Sequence, residues 1–270
     1  MFASPDLAAR IEHAEARLTQ ALAAGVVDPP ALVRDLGGGI SAVTRPGSPL
    51  NKIIGLGFDG EIDDRALSAV ESDWRERREA ARIELASLAS PSLAPFLTAR
   101  GYRLQGFENV LGLALASRPA APKTSVTVET VREGDDSAWL ETIITGFAHP
   151  DGTGVTSDVV PRDALAPVME DFRRAAGMVR SLARVDGQPA GAASLRLDCG
   201  IAQLCGATTL PRYRRRGVQR ALLEARLALA SATGCDIAIL TTAPGSQSQA
   251  NAQNQGFALL YARAVLVREW

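Results

Sequence analysis

Aromatic residues are scarce in this chain: of 270 positions, three are Trp, three Tyr and seven Phe. That leaves little material for a large stacking pocket. Histidine is scarcer, and the two present, His13 and His149, are too far apart in sequence to suggest a histidine-based metal site. The three cysteines, Cys199, Cys205 and Cys235, are an odd number in or beside strand-like segments. They read as reduced core thiols of a cytoplasmic protein, not as disulfides or metal ligands, and no metal is expected. No apolar run approaches the roughly 20 residues of a membrane span, and the N-terminus lacks a secretory pattern. Met1 to Ala24 is instead charged and helical, with Leu7, Ile11, Ala14 and Leu18 near one face. A formal charge of −1 does not supply the broad basic surface that nucleic acid requires.

What the chain does have is a concentration of arginine at one turn. In Thr208-Thr209-Leu210-Pro211-Arg212-Tyr213-Arg214-Arg215-Arg216-Gly217-Val218-Gln219 a strand-like run meets an arginine-rich turn, and Gly217 then opens an amphipathic helix. The first amides of a helix have no intrahelical partner, and the macrodipole places partial positive charge there. A glycine lets a large anion approach the backbone, and neighbouring arginines attract it. The turn therefore reads as a phosphate or pyrophosphate site held largely by main chain. Taken alone it could equally be a solvated basic turn. It lacks the Gly-Lys-Ser/Thr ending of a Walker loop and two of the three glycines of a dinucleotide fingerprint.

The flanking segments decide between these. Met178 to Val185, Gly191 to Asp198 and Ile201 to Thr209 form an antiparallel meander with turns at Gly187 to Gly191 and Cys199-Gly200. Val218 to Ala232 has apolar residues at helical spacing and ends at Gly234. A buried strand at Ile237 to Leu240, a polar helix from about Ser246 to Gln255, the turn Gly256-Phe257 and a last strand from Leu259 to Val267 complete the order. On Arg214-Arg215-Arg216-Gly217-Val218-Gln219, and on Gly256-Phe257 before the final strand, residues 124 to 270 resemble the GNAT family of acyl-coenzyme A N-acyltransferases. Gln219 departs from that family's pattern, which has Gly or Ala at this position.

The resemblance implies an α/β fold with a mixed, mostly antiparallel central sheet flanked by helices. It implies acetyl-CoA as co-substrate and N-acetyl transfer to a small-molecule amine by direct attack, with no nucleic-acid or membrane partner. Two central strands, here Ile201 to Thr209 and Asp236 to Thr242, would splay apart to admit pantetheine. Ala207, Thr208 and Thr209 match the segment whose main chain contacts pantetheine, and Arg214, Arg215, Arg216, Gly217, Val218 and Gln219 match the pyrophosphate cradle. Ser246 and Asn251, together with Ser248 and Asn254, are polar candidates on the last helix. Where many family members carry a tyrosine acid, this chain has Ala252; Tyr261 on the final strand is the replacement candidate. Glu141 and Asp198 are candidate bases, each equally readable as a surface carboxylate. The segment Phe147 to Val155 would border the acceptor.

The first half carries a similar order of elements. Lys52 to Phe58 (strand) and Asp63 to Ala80 (helix), then Arg82 to Leu85 (strand), Pro91 to Ala99 (helix) and Phe107 to Leu115 (strand) mirror residues 201 to 267, which suggests an internal repeat. Where the second half has arginines, the first has Asp59, Glu61, Asp63 and Asp64, which would repel a pyrophosphate and cap the helix that follows. The expected organisation is thus a degenerate GNAT-like domain over residues 1–118, a linker over 119–124 and a GNAT domain over 125–270, with a homodimer as an open option. The rival readings are a non-catalytic acyl-CoA-binding or regulatory module and an adaptor that presents the arginine turn to a partner.

Overall fold

The computed structural model describes residues 2–116, 125–132, 136–150 and 161–270, so the expected linker at 119–124 lies outside the described residues. Helix α1 (Pro5–Ala24) starts where local chemistry favours it: the Ser4 hydroxyl accepts from the Leu7 amide at 3.2 Å, Pro5 opens the first turn and Asp6 sits at its positive end. The first half continues through β1 (Leu32–Leu36), β2 (Gly39–Val43), β3 (Lys52–Ile54), α2 (Asp64–Glu76), β4 (Ala81–Ala86), α3 (Leu93–Ala99) and β5 (Arg103–Ala114). The second half comprises β6 (Thr127–Thr130), α4 (Ser137–Phe147), α5 (Arg162–Arg174), β7 (Met178–Val185), β8 (Gln188–Asp198) and β9 (Ile201–Thr209). A 3-10 turn (Pro211–Tyr213), α6 (Val218–Ala232), β10 (Ile237–Thr242), α7 (Gln247–Asn254) and β11 (Ala258–Arg268) follow.

Among the described residues all the strands join one eleven-stranded sheet in the order β1-β2-β3-β4-β11-β5-β10-β9-β8-β7-β6. From the central antiparallel pair β11–β5 outward, the two sides repeat each other. β4, β3, β2 and β1 on one side correspond to β10, β9, β8 and β7 on the other, and β6 has no counterpart among the described residues. The pairs β3–β4 and β9–β10 are parallel, as the intervening crossover helices α2 and α6 require. The last strands are exchanged: β11, from the second half, pairs with β4, while β5, from the first half, pairs with β10. The repeat inferred from element spacing is therefore present, and each half is completed by the other.

Helices α1, α4 and α5 pack together around Leu18, Leu22, Trp139, Ile143 and Val168. Successive β8 residues face opposite ways, Ala192 toward this cluster and Ala193 toward Val218 and Leu222 of α6. Some boundaries differ from expectation for local reasons. The strand from Lys52 stops at Ile54 because Gly55 and Gly57 take φ of 82° and 87°. Helix α2 ends at Glu76, and Arg78, at φ 59°, turns the chain away. Strands β1 and β2 were not foreseen; β2 is buried along its whole length, so it shows no alternation. Among the described residues no helix is long and apolar enough to cross a membrane.

Candidate functional site

The arginine turn follows β9. Tyr213 is buried beneath it, with the guanidinium groups of Arg212 and Arg216 over its ring at 4.9 and 5.6 Å. Arg214 is extended, and Arg215 and Gly217 take φ of 63° and 80°, a left-handed turn of the kind that suits anion binding by main-chain amides. Gly217 is the N-cap of α6 and no side chain caps that helix, which leaves its first amides available. A Cβ at Gly217 would meet nothing within 4 Å among the described residues. Arg214 donates to the His149 carbonyl, and Arg216 pairs with Asp186 at 3.2 Å on the surface; Arg215 and Arg220 are exposed. An exposed pair such as Arg216–Asp186 is worth little and does not commit the cation.

Beyond this turn the sheet opens. Strands β9 and β10 pair only at Ile201↔Ile237, Ala202↔Ala238 and Gln203↔Ile239, although β9 runs on to Thr209 and β10 to Thr242. The separation falls where the resemblance puts it. A cavity of about 390 Å³ fills the opening, walled by Leu204, Gly206 and Ala207 of β9, Thr241 and Thr242 of β10, and the facing sides of α6 and α7. The Thr242 hydroxyl is buried and has no partner among the described residues, an unmet hydrogen-bonding group at the cavity wall.

The other edge of β9 carries an irregularity. The β8–β9 register runs Ala193↔Ala207 and then Ser194↔Cys205, so Gly206, at φ 41°, is the extra residue of a bulge. Both flanking β8 carbonyls accept from side chains: Ala193 from the Trp139 indole of α4 and Ser194 from Arg226 Nη1 of α6, each at 3.1 Å. Arg226 is buried, and its second anchor is the Leu222 carbonyl. Burial pushes its pKa down to about 10, the expected response of a cation desolvated without a carboxylate.

The site residues expected from sequence are partly brought together. Ala207, Gln219 and Asn251 line the cavity, and Asn251 Nδ2 donates to Gln219 Oε1 at 3.0 Å, which bridges α6 and α7. Ser248, Asn254 and Ala252 line it as well. Val218 starts α6 but its side chain is core. Thr208 packs against Gly146 of α4, where a Cβ would lie 2.1 Å from its hydroxyl, and the Thr209 hydroxyl is buried without a partner among the described residues. The Ser246 hydroxyl caps α7, accepting from the Gln249 amide at 3.2 Å. Tyr261 is not in the cavity wall: its hydroxyl donates to Glu12 Oε1 at 2.6 Å, and burial raises its pKa far above the usual range. Glu141 is held by Arg162 at 2.5 Å, which lowers its pKa. Asp198 is held by Arg17 at 2.7 Å. His149 lies at the end of α4, its ring nitrogen 2.8 Å from the Thr145 carbonyl; residues 151–155 lie outside the described residues.

The matching place in the first half is closed. Asp63 accepts from the amides of Arg65 and Ala66 at 3.4 and 3.1 Å and so caps α2. Gly57 is packed so tightly that a Cβ there would lie 2.5 Å from Leu93 and 3.0 Å from Ala89. Acidic capping and filled space replace the open cradle of the second half.

Residues 153–257 match the family model of the Acetyltransferase (GNAT) family, so this part of the chain is similar to GNAT domains. A GCN5-related N-acetyltransferase from Kribbella flavida is 19% identical in sequence. Its alignment covers 94% of this chain and 95% of that one, with a TM-score of 0.60. A tandem GNAT protein from the clavulanic acid biosynthesis pathway is 14% identical over 92% of this chain and 87% of that one, at a TM-score of 0.63. A GCN5-related N-acetyltransferase from Sphaerobacter thermophilus is 16% identical over 76% and 67%, at 0.56. These likenesses establish the fold, a GNAT-like sheet in tandem arrangement. No curated protein sequence matches the chain.

Proposed function

We propose that the chain is an acetyl-CoA-dependent N-acetyltransferase in which the second half holds the coenzyme and the acceptor is a small-molecule amine. The observation that carries this is the meeting of two unsatisfied backbone edges on one cavity: the uncapped start of α6, and β9 beyond Gln203, which β10 no longer pairs. Pyrophosphate fits the first and an extended amide-bearing arm fits the second. The residues that would hold the coenzyme are Arg214 to Gln219 at the turn, Ala207 to Thr209 along the strand, and Asn251 on α7. Strand amides on the open edge can also stabilise negative charge on a carbonyl oxygen placed there.

Direct attack by the amine is favoured over an acyl-enzyme. Cys205 is the cysteine beside the opening, and burial, reinforced by Glu15, pushes its thiol pKa up to about 12. At pH 7 the thiolate would be roughly one part in 10⁵, far too little for a resting nucleophile. The free cysteines also suit a reducing cytoplasm.

Calorimetry of acetyl-CoA binding to the native chain and to Gly217→Glu tests the coenzyme assignment. The substitution places a carboxylate in the open space of the turn, and binding should weaken at least about 100-fold, or about 2.7 kcal/mol. Equal affinities would mean that the coenzyme does not use this turn. Ala252 at the position of the family's tyrosine favours a second reading, an acyl-CoA-binding module without transfer. Binding without thiol release across a broad amine panel would select it.

A further inference from the structure

The opening between β9 and β10 leads to a second cavity, of about 190 Å³, on the α1–α5 side of the sheet. The two cavities share Leu204, Gly206, Leu240 and Thr241, so they meet through the splay. The second cavity is lined by both halves, with α1, Leu50 and Lys52 from the half that has no coenzyme cradle and α5, β9 and β10 from the other. Leu18 and Leu22 of α1, Leu50 and, from α5, Phe172 form an apolar wall. Its polar end is Glu15, Lys52 and Gln203.

Glu15 is fixed at the apex of the opening. Gln203 Nε2 donates to Glu15 Oε2 at 3.2 Å, and Gln203 is the last β9 residue paired with β10. The other carboxylate oxygen has Lys52 Nζ at 3.7 Å, while Lys52 is nearer to Glu84, at 3.1 Å. Glu15 thus lines the cavity with its cations, Lys52 and Arg263, engaged more closely by other carboxylates, Glu84 and Glu12. From Gln203 to the bulge at Gly206 is three residues, roughly 10 Å of strand. An amine nitrogen held along that span would reach the Glu15 carboxylate through one bridging water while it approaches a carbonyl carbon placed at the bulge.

We propose that this cavity is the acceptor pocket, that it takes a primary amine on a compact apolar body, and that Glu15 is the catalytic base. The inference rests on the acetyltransferase reading above and names its acceptor side. The arriving ammonium gives one proton to Glu15. The freed nitrogen pair attacks the thioester carbonyl carbon, the C–N bond forms and the C–S bond breaks. The second N–H proton passes to the departing sulfur, directly or through water, and Glu15 returns its proton to solvent. The products are the amide, coenzyme A thiol and one proton. The charged and titratable groups around Glu15 are Glu12 of α1, Lys52 of β3, Cys205 of β9, and Tyr261 and Arg263 of β11.

The test follows thiol release from acetyl-CoA with isoamylamine, hexylamine and phenethylamine, against spermidine and glucosamine as hydrophilic amines. The native chain should turn over an apolar amine best. Glu15→Gln, which keeps a partner for Gln203, should lower kcat about 100-fold or more, lose the acidic limb of the pH profile, and bind acetyl-CoA within twofold of native. Glu15→Asp should recover part of the rate. Leu50→Phe, which narrows the cavity, should raise KM for the amine about tenfold with the acetyl-CoA affinity unchanged. The proposal falls if Glu15→Gln keeps kcat within threefold, if only the hydrophilic amines react, or if acetyl-CoA binds and no apolar amine is acetylated. A native chain that does not bind acetyl-CoA in calorimetry overturns the acetyltransferase reading itself, and the acceptor assignment with it.

Discussion

Glu12 Oε1 of the first helix and Arg263 Nε of the last strand lie 2.8 Å apart, with both side chains 1% exposed. Burial raises the Glu12 pKa, while Arg263 and Tyr261 oppose that shift. Two charges held this way are a weak source of net stability, but losing one strands the other in an apolar setting. Arg263→Met should therefore cost about 3–5 kcal/mol in urea unfolding. The double substitution Glu12→Met with Arg263→Met should recover most of that loss. If the double variant is as unstable as the single one, the cost comes from packing and not from the orphaned carboxylate.

Tyr261 is the third member of that group. Its hydroxyl donates to Glu12, and Tyr261 is not among the residues that wall the coenzyme cavity. Tyr261→Phe removes one hydrogen bond to a charged acceptor, worth about 1.5–3 kcal/mol of stability. The rate of acetyl transfer should stay within twofold of native. A loss of about 100-fold in kcat with unchanged stability would instead make Tyr261 the acid that its place in the sequence suggested.

The second half was legible because its signals are local. Val218 to Ala232 has helical spacing and stop residues, the meander has turn residues, and Gly217 sits where a positive φ is needed. The acidic stretch at Asp59 to Asp64 also announced a capped, closed counterpart. What was not legible depends on distant partners. Nothing near Glu15 separates it from any other carboxylate on an amphipathic helix; Gln203, 188 residues away, gives it its position. The exchange of β5 and β11 is equally silent, because both strands keep the same local pattern whichever neighbour they choose. Nothing in the helical pattern of α6 marks Arg226 as buried; the Ser194 carbonyl beside the β8–β9 bulge holds it.

The thiol of Cys205 makes stability depend on pH. Its pKa is pushed up from the ordinary 9.0 to about 12 in the folded chain. Between pH 9 and 12 the folded state keeps the proton and the unfolded state releases it, so unfolding is increasingly favoured as pH rises through that window. The contribution is fully present below pH 9. Melting curves from pH 8 to 11 should show a steeper alkaline loss for the native chain than for Cys205→Ala. Iodoacetamide at pH 8 should modify the exposed Cys199 well before Cys205, as read by peptide mass spectrometry. Equal labelling of both would refute the half-buried, protonated Cys205 thiol.

The exchanged strands predict how the halves depend on each other. β5 covers β10 from Asn109↔Thr242 to Ala114↔Ile237, and β11 covers β4 from Arg268↔Ala81 to Arg263↔Ala86. A fragment spanning 125–270 loses β5, and β10 becomes an open edge ready to pair with another chain. β11 could swing across to fill the gap, but it carries Arg263, whose buried partner Glu12 would be gone. The freed cation then opposes the rearrangement by several kcal/mol. The fragment expressed alone should aggregate, whereas co-expression with residues 1–118 should yield a soluble complex whose melting temperature rises with acetyl-CoA. A fragment 125–270 that is monomeric, melts cooperatively and binds acetyl-CoA as tightly as the whole chain would show that the halves are independent.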